Sequence, residues 1–190
     1  LVAAQDWRPG DQLVVNDPFL GGTHLPDVTL IAPVFAEGEL CAFVANRAHH
    51  ADIGAASPGS MPISHTLHEE GMVIAPGHLQ RRGQISEDFF RRLQQATRNP
   101  GESAGDFNAQ LAANRAGLTA LQAVIEHYGE QVFRIGLQEL NGYAERLGRD
   151  ALRSIPVGIS RFEDRLDDDG QGNRDIPIRV SLEVSSQGAP

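Results

Sequence analysis

Near Ser86 the spacing of apolar residues changes period, and a chain that does this must keep its strands and helices in separate stretches. From Gln12 to Asn46 three β-rich runs, Leu13-Val14-Val15, Val28-Thr29-Leu30-Ile31 and Ala42-Phe43-Val44, are bounded by Asp-Pro, Gly-Gly and Glu-Gly turn signals. They predict at least three strands. Between Arg47 and Leu79 Gly, Pro, Ser and five histidines replace any period, which predicts long structured loops, with a short strand-like run at Met72-Val73-Ile74. Ser86 is a good N-cap for a helix over Glu87 to Thr97. Asn99-Pro100-Gly101 breaks the chain. Leu111, Leu118, Leu121, Val124 and Ile125 then predict a helix over Asp106 to Tyr128, and Val132, Ile135, Leu140, Tyr143 and Leu147 a second from Glu130 to Arg153. The two are expected to form an antiparallel hairpin. Strand patterns return at Ile159 to Leu166 and Ile176 to Val184, joined through the polar turn Asp167-Asp168-Asp169-Gly170. The fold class expected is α+β, with a mixed or antiparallel sheet, long loops and the helical hairpin.

With 190 residues and a strand pattern running nearly to Pro190, the chain reads as a single segment (1–190) of a larger domain, an excised piece. Its 25 acidic against 16 basic residues, a net charge of -9, have the wrong sign for counterion displacement from a phosphate backbone, so no nucleic-acid partner is expected. No apolar run approaches a membrane span, and Leu1 to Gly10 has no signal-peptide character. Cys41 is the only cysteine, which excludes an intramolecular disulfide and multi-cysteine zinc frameworks; it is expected to be a small buried residue. A cytoplasmic location follows as the expectation.

The chemistry concentrates in two stretches, Gly21-Gly22-Thr23-His24-Leu25-Pro26-Asp27 and Arg47-Ala48-His49-His50-Ala51-Asp52-Ile53-Gly54. Imidazole nitrogen and carboxylate oxygen are mixed ligands suited to Mn, Fe or Zn, and two such clusters at neighbouring strand ends can converge on one ion. Pro26 stiffens the turn between His24 and Asp27. In extended backbone His49 and His50 point to opposite faces, so one is the ligand candidate and the other structural or behind it. A third stretch, His65-Thr66-Leu67-His68-Glu69-Glu70-Gly71, offers Glu70 as a general base. The bland alternative is that these are hydrogen-bonded surface corners and solvated loop side chains. The Asp167–Gly170 run lacks the closing Glu of an EF-hand loop, and neither Ser57 nor Ser60 sits in a nucleophile elbow. With no P-loop or dinucleotide fingerprint, nucleotide chemistry has to come from elsewhere. His78 and His127 fall in no motif and are expected to be replaceable without consequence.

Taken together, Asp17-Pro18, the GGTHLPD and AHHADIG stretches, Ser57-Pro58-Gly59-Ser60 and Glu70-Gly71 resemble the hydantoinase B/oxoprolinase family. Asp106-Phe107-Asn108-Ala109-Gln110 with Ala113-Asn114 and Gly117, and Tyr143-Ala144-Glu145 with Arg149, extend the resemblance through the helices. It departs at Ala55, Thr66 and His68, which weakens the case for the third stretch. The resemblance implies a metal-dependent subunit that hydrolyses a cyclic amide of the hydantoin or 5-oxoproline type, or carboxylates a ketone. It implies ATP handled only by a hydantoinase A-type partner, and an oligomer. By the same mapping His24, Asp27 and His49 hold a divalent metal (Mn, Fe or Zn), Asp52 joins or backs them, and Glu70 or His50 manages protons. A reading from another class makes the chain a non-catalytic assembly module whose helices dock the partner.

Overall fold

In the computed structural model, residues 5–59 and 62–185 are described; Ser60 of the Ser-Pro-Gly-Ser stretch lies outside them. The alternation read from the sequence produces β1 (Gln12–Val15), β2 (Asp27–Ala36) and β3 (Glu39–His49), followed after the loops by β4 (Gly77–Arg81) and β5 (Gln84–Ile85). They form a five-stranded sheet in the order β3-β2-β1-β4-β5, with every pairing antiparallel. Three helices follow, α1 (Glu87–Ala96), α2 (Pro100–Tyr128) and α3 (Glu130–Arg153), then a two-stranded ribbon of β6 (Gly158–Asp168) and β7 (Arg174–Val184). The architecture is α+β. Among the described residues no helix is long and apolar enough to cross a membrane.

The chain divides into two compact units, Leu1–Glu130 and Gln131–Pro190. In the first, one face of the sheet carries Val14, Val28, Leu30 and Leu79 against Phe89 and Leu93 of α1 and Phe107 and Leu111 of α2. Leu25, Ile53 and Ile74 from the loops close the same core, so the loops are structured by burial rather than by ladders. The opposite face is covered by Trp7, which packs with Leu13 and Val15 and meets Phe43 edge-on at 5.2 Å.

Several elements differ from the expectation. Met72-Val73-Ile74 is not a strand; it is tied down by Met72 N–H to Ile53 O (2.8 Å) and by Asn16 N–H to Ile74 O (3.1 Å). α2 starts at Pro100, six residues before the expected Asp106, because proline at the first helical position removes an N–H that has no partner there anyway. Its expected apolar stripe is only partly buried: Leu111 and Ile125 are, Val124 is exposed, and beside Phe107 the inward face also carries the polar Ser103, Gln110 and Asn114. Cys41 is half-buried on β3, its thiol 3.4 Å from Val34 O, rather than buried.

The expected helical hairpin is divided between the units, α2 packing on the sheet of the first and α3 belonging to the second. Within the second unit, Val132, Ile135, Leu140, Tyr143 and Leu147 of α3 are 50–62% exposed, so the stripe that the helical period revealed is not a core face here. A period reports that one face is apolar and is silent on what covers it. In the ribbon Phe162 pairs with Val180 and Leu166 with Ile176. The acidic turn is a hydrogen-bonded corner, in which Asp169 Oδ1 accepts from the N–H groups of Gln171 and Asn173.

Candidate metal centre

The register of β2 on β3 builds the site. Asp27, the first residue of β2, stands directly across from His49, the last of β3. Residues opposite in an antiparallel pair carry their side chains on the same face about 5 Å apart. His24 joins them through the turn stiffened by Pro26, closed by Asp27 N–H to His24 O at 2.9 Å. His24 Nδ1 lies 2.5 Å from Asp27 Oδ2 and His49 Nδ1 lies 2.9 Å from Asp27 Oδ1, so the two imidazoles flank one carboxylate, their rings 5.2 Å apart. Thr23 donates its hydroxyl to Asp27 Oδ2 at 2.7 Å. The three potential ligand atoms lie within 4.8 Å of one another, the one such cluster of His, Cys, Asp and Glu among the described residues.

Partial burial alone would raise the pKa of Asp27, but the hydrogen bonds from Thr23 and His49 and the charges of His24 and His49 outweigh it and hold the carboxyl below its usual range. A carboxylate that stays ionised beside two imidazoles is a donor set suited to a borderline divalent cation, and the side chains keep an open side, with His24 35% and His49 45% exposed. The residues present fit such an ion.

The turn is set by close backbone approach. A Cβ on Gly22 would lie 2.1 Å from Asn16 O, so only glycine fits between the β1 exit and Thr23. Asn16, fully buried, stitches the turn to the later loop: its Nδ2 donates to Leu25 O (2.8 Å) and Met72 O (2.9 Å), and its Oδ1 accepts from Ile74 N–H (2.6 Å). Arg47 holds the other side, donating to Thr29 Oγ1 at 2.8 Å and Gly21 O at 3.3 Å.

His50 turns the other way. It is 1% exposed, lies on Phe107 with ring centroids 4.4 Å apart, and its backbone N–H donates to Pro26 O at 2.9 Å. Its Nε2 is 2.8 Å from Gln110 Oε1, and backbone carbonyls fix the direction of that bond. Gln12 Nε2 donates to Leu111 O, Asn114 Nδ2 to Gln12 Oε1, and Asn46 Nδ2 to both Gln110 O and Asn114 Oδ1. Gln110 Nε2 is then committed to Val28 O (2.9 Å) and Asn46 Oδ1 (2.8 Å). Its Oε1 can only accept, so His50 carries its proton on Nε2 and presents a lone pair at Nδ1. Burial lowers the pKa of His50, against the opposing effects of Gln110 and Asp106, which keeps the ring neutral.

Asp52, expected with the ligands, is occupied elsewhere. Its Oδ2 accepts from Arg98 N–H (2.8 Å) and its Oδ1 from Gly54 N–H (2.8 Å), while Arg98 reaches on to the carbonyls of Ala55 (2.7 Å) and Ala56 (2.6 Å). It pins the loop after His50 to the segment joining α1 and α2. Burial would raise its pKa, but the N–H groups of Arg98 and Gly54 and the Arg98 charge leave it lowered. A carboxyl depressed in the folded state adds stability above its unfolded pKa and loses it as pH falls through the folded value. Asp52→Asn should therefore cost about 1–2 kcal/mol at neutral pH and little in acid, read by urea denaturation at pH 7 and at pH 3.

Glu70 sits at the end of a 3₁₀ turn, Leu67–Glu70, accepting from Ser64 Oγ at 3.1 Å, and is not part of the His24–Asp27–His49 cluster. His78, expected to be replaceable, lies with its Nε2 3.5 Å from the buried carboxylate of Asp11 and its ring against Trp7, so its removal should disturb the sheet more than removal of the exposed His127. Asn16 and Asn46 fall in no motif of the sequence, and Gln110 and Asn114 enter only through the family resemblance. The signal for the last two was a pair of amides four residues apart, interleaved with Phe107 and Leu111 on the same helix face.

The sequence matches the Hydantoinase B/oxoprolinase family over residues 1–189. It is 39% identical over 153 residues to a 5-oxoprolinase of Dictyostelium discoideum, covering 80% of this chain and 12% of that protein. To the caprolactamase subunit beta of Pseudomonas jessenii it is 33% identical over 181 residues, covering 95% of this chain and 31% of that one. The structure superposes with a TM-score of 0.86 and 31% identity on a chain of the ATP-dependent caprolactamase crystal structure from Pseudomonas jessenii, covering 96% of this chain and 32% of the other. The chain thus spans between an eighth and a third of the relatives it matches. Across that span sequence and fold agree, and the chain belongs to the hydantoinase B/oxoprolinase family.

Proposed function

We propose that this chain is the metal-holding part of an ATP-linked enzyme that hydrolyses the C–N bond of a cyclic amide. The observation that carries the reading is the convergence of His24, Asp27 and His49 on one open point, from a turn and a strand end 22 residues apart in sequence at Asp27 and His49. These three side chains would hold a divalent cation, Mn, Fe or Zn. When bound, such a cation supplies Lewis acidity toward a carbonyl or phosphorylated oxygen. The chain's own contribution is to keep Asp27 ionised through Thr23 and the imidazoles, and to keep the turn rigid through Gly22, Asn16 and Arg47. Glu70 and His50 are the groups assigned to proton movement; His50 borders the cavity beside the triad, which favours it over Glu70. The names of the relatives, 5-oxoprolinase and a caprolactamase subunit described as ATP-dependent, support a cyclic-amide substrate and an ATP-handling A-type partner.

The test is metal content with activity. The full-length protein, purified with its partner and without a histidine tag, should carry about one equivalent of Mn, Fe or Zn per chain, as expected for a three-ligand site with an open position. With ATP it should open 5-oxoproline, hydantoin or a simple lactam. No metal and no turnover in any preparation would leave only the assembly-module reading, and turnover of a ketone with bicarbonate but of no cyclic amide would replace hydrolysis by carboxylation.

A further inference from the structure

Between the end of β3 and the first turns of α2 lies an open cavity of about 540 Å³ that shares His49 with the triad. Its walls include His50, Gln110, Asp106 and Arg47. Two features of this wall are unused by the fold. His50 Nδ1 is buried and has no hydrogen-bond partner among the described residues. The amide chain from Gln12 to Gln110 commits the ring proton to Nε2, so Nδ1 is a fixed lone pair, an acceptor without a donor. On the facing helix the Asp106 carboxylate forms no hydrogen bond or ion pair among the described residues. The cation on the wall, Arg47, is already committed to Thr29 and Gly21.

A wall of two unused acceptors beside a cation-type site selects a ligand that brings N–H donors. We infer that this cavity is the nitrogen subsite of the cyclic amide: His50 Nδ1 accepts the ring N–H, and Asp106 takes the additional N–H groups of the amine produced when the ring opens. The inference rests on the proposed cyclic-amide reading and adds to it the side of the substrate that each residue meets. A secondary amide has one N–H, which Nδ1 satisfies; a primary ammonium has three, and only then is the carboxylate needed. Gln110 is a positioning residue, acting on the ligand through the tautomer it imposes on His50.

The experiment uses the full-length protein with ¹⁵N-labelled histidine, in metal-chelated and Zn-loaded forms, titrated with δ-valerolactam, N-methyl-δ-valerolactam and n-butylammonium. The lactam should displace the His50 Nδ1 resonance and the N-methyl lactam should not, and the latter should bind about tenfold more weakly, the loss of one hydrogen bond. Asp106→Ala, at an exposed helix position where folding is not at risk, should weaken n-butylammonium about tenfold while leaving the lactam within about threefold. Equal binding of the two lactams, no displacement of Nδ1 by either, or unchanged ammonium binding in Asp106→Ala overturns the inference. If the lactam discrimination persists in protein that takes up no metal, the subsite stands and the metal reading falls. If zinc loads stoichiometrically and no discrimination is found, the reverse holds.

Discussion

Asp27→Ala should weaken divalent-metal binding by about 100-fold or more, since even partners behind the ligands are worth 10–100-fold, and abolish turnover by the intact complex. Asp27 touches both imidazoles, so its loss removes a ligand and releases His24 and His49 together. Alanine at this strand end costs little of the fold: the side chain is near the surface, and the β2–β3 ladder continues through nine further paired positions. Thermal unfolding of the metal-free protein should therefore stay close to wild type while metal titration fails. His24→Ala should behave in the same way. Asp27→Asn keeps the shape and the hydrogen-bond acceptor but not the charge, and should bind the cation at an intermediate strength. Because imidazole ligands must be neutral to coordinate, binding should release protons and weaken as pH falls, measurable by titration in buffers of different ionisation enthalpy. Full metal content in both Asp27→Ala and His24→Ala would remove these residues from the site.

The largest effect on stability is expected at Gln110. Gln110→Leu keeps the volume and removes the amide that meets His50, Asn46 and Val28 O, leaving buried donors and acceptors stranded on β2, β3 and the loop. At about 1–3 kcal/mol for each group left unsatisfied, with partial relaxation, the cost is about 3 kcal/mol. That corresponds to a fall in Tm of roughly 10 °C for a domain of this size. Asn114→Leu should be costly too, and the double variant less so than the separate losses predict, because both belong to one hydrogen-bonded chain. A double-mutant cycle by chemical denaturation measures the coupling; simple additivity would mean that the amides act independently. Gln110→Leu should also disturb His50 while leaving the His24–Asp27–His49 cluster able to take up metal, which separates the fold-holding face of α2 from the ligand-holding ends of β2 and β3.

Much of the fold was legible because it depends on local pattern. Alternation marked β1 to β3, β6 and β7, Ser86 marked the start of α1, where its hydroxyl accepts from Phe89 N–H, and the helical period marked α2 and α3. The boundary at Pro100 is ambiguous in the sequence because proline is both a helix breaker and a favoured first residue, and only the chain around it decides which. Met72 to Ile74 looked like a strand because burial and β-propensity leave the same trace as pairing.

The residue types of the candidate site, imidazoles and a carboxylate in two short stretches, were visible in the sequence, and so was the family through them. Composition and spacing could not say which side chains meet. That was decided by the register that sets Asp27 opposite His49, and by the Arg98 guanidinium and backbone N–H that draw Asp52 aside. The division of labour between His49 and His50 likewise needed the third dimension. Adjacent residues at a strand end point to opposite faces, but which face is open and which is core depends on α2 lying over the sheet. The amide chain from Gln12 to His50 joins positions up to 102 residues apart in sequence. Such a network leaves almost no local signature, because each amide is ordinary in its own segment and acquires its meaning only from the partner that folding brings to it.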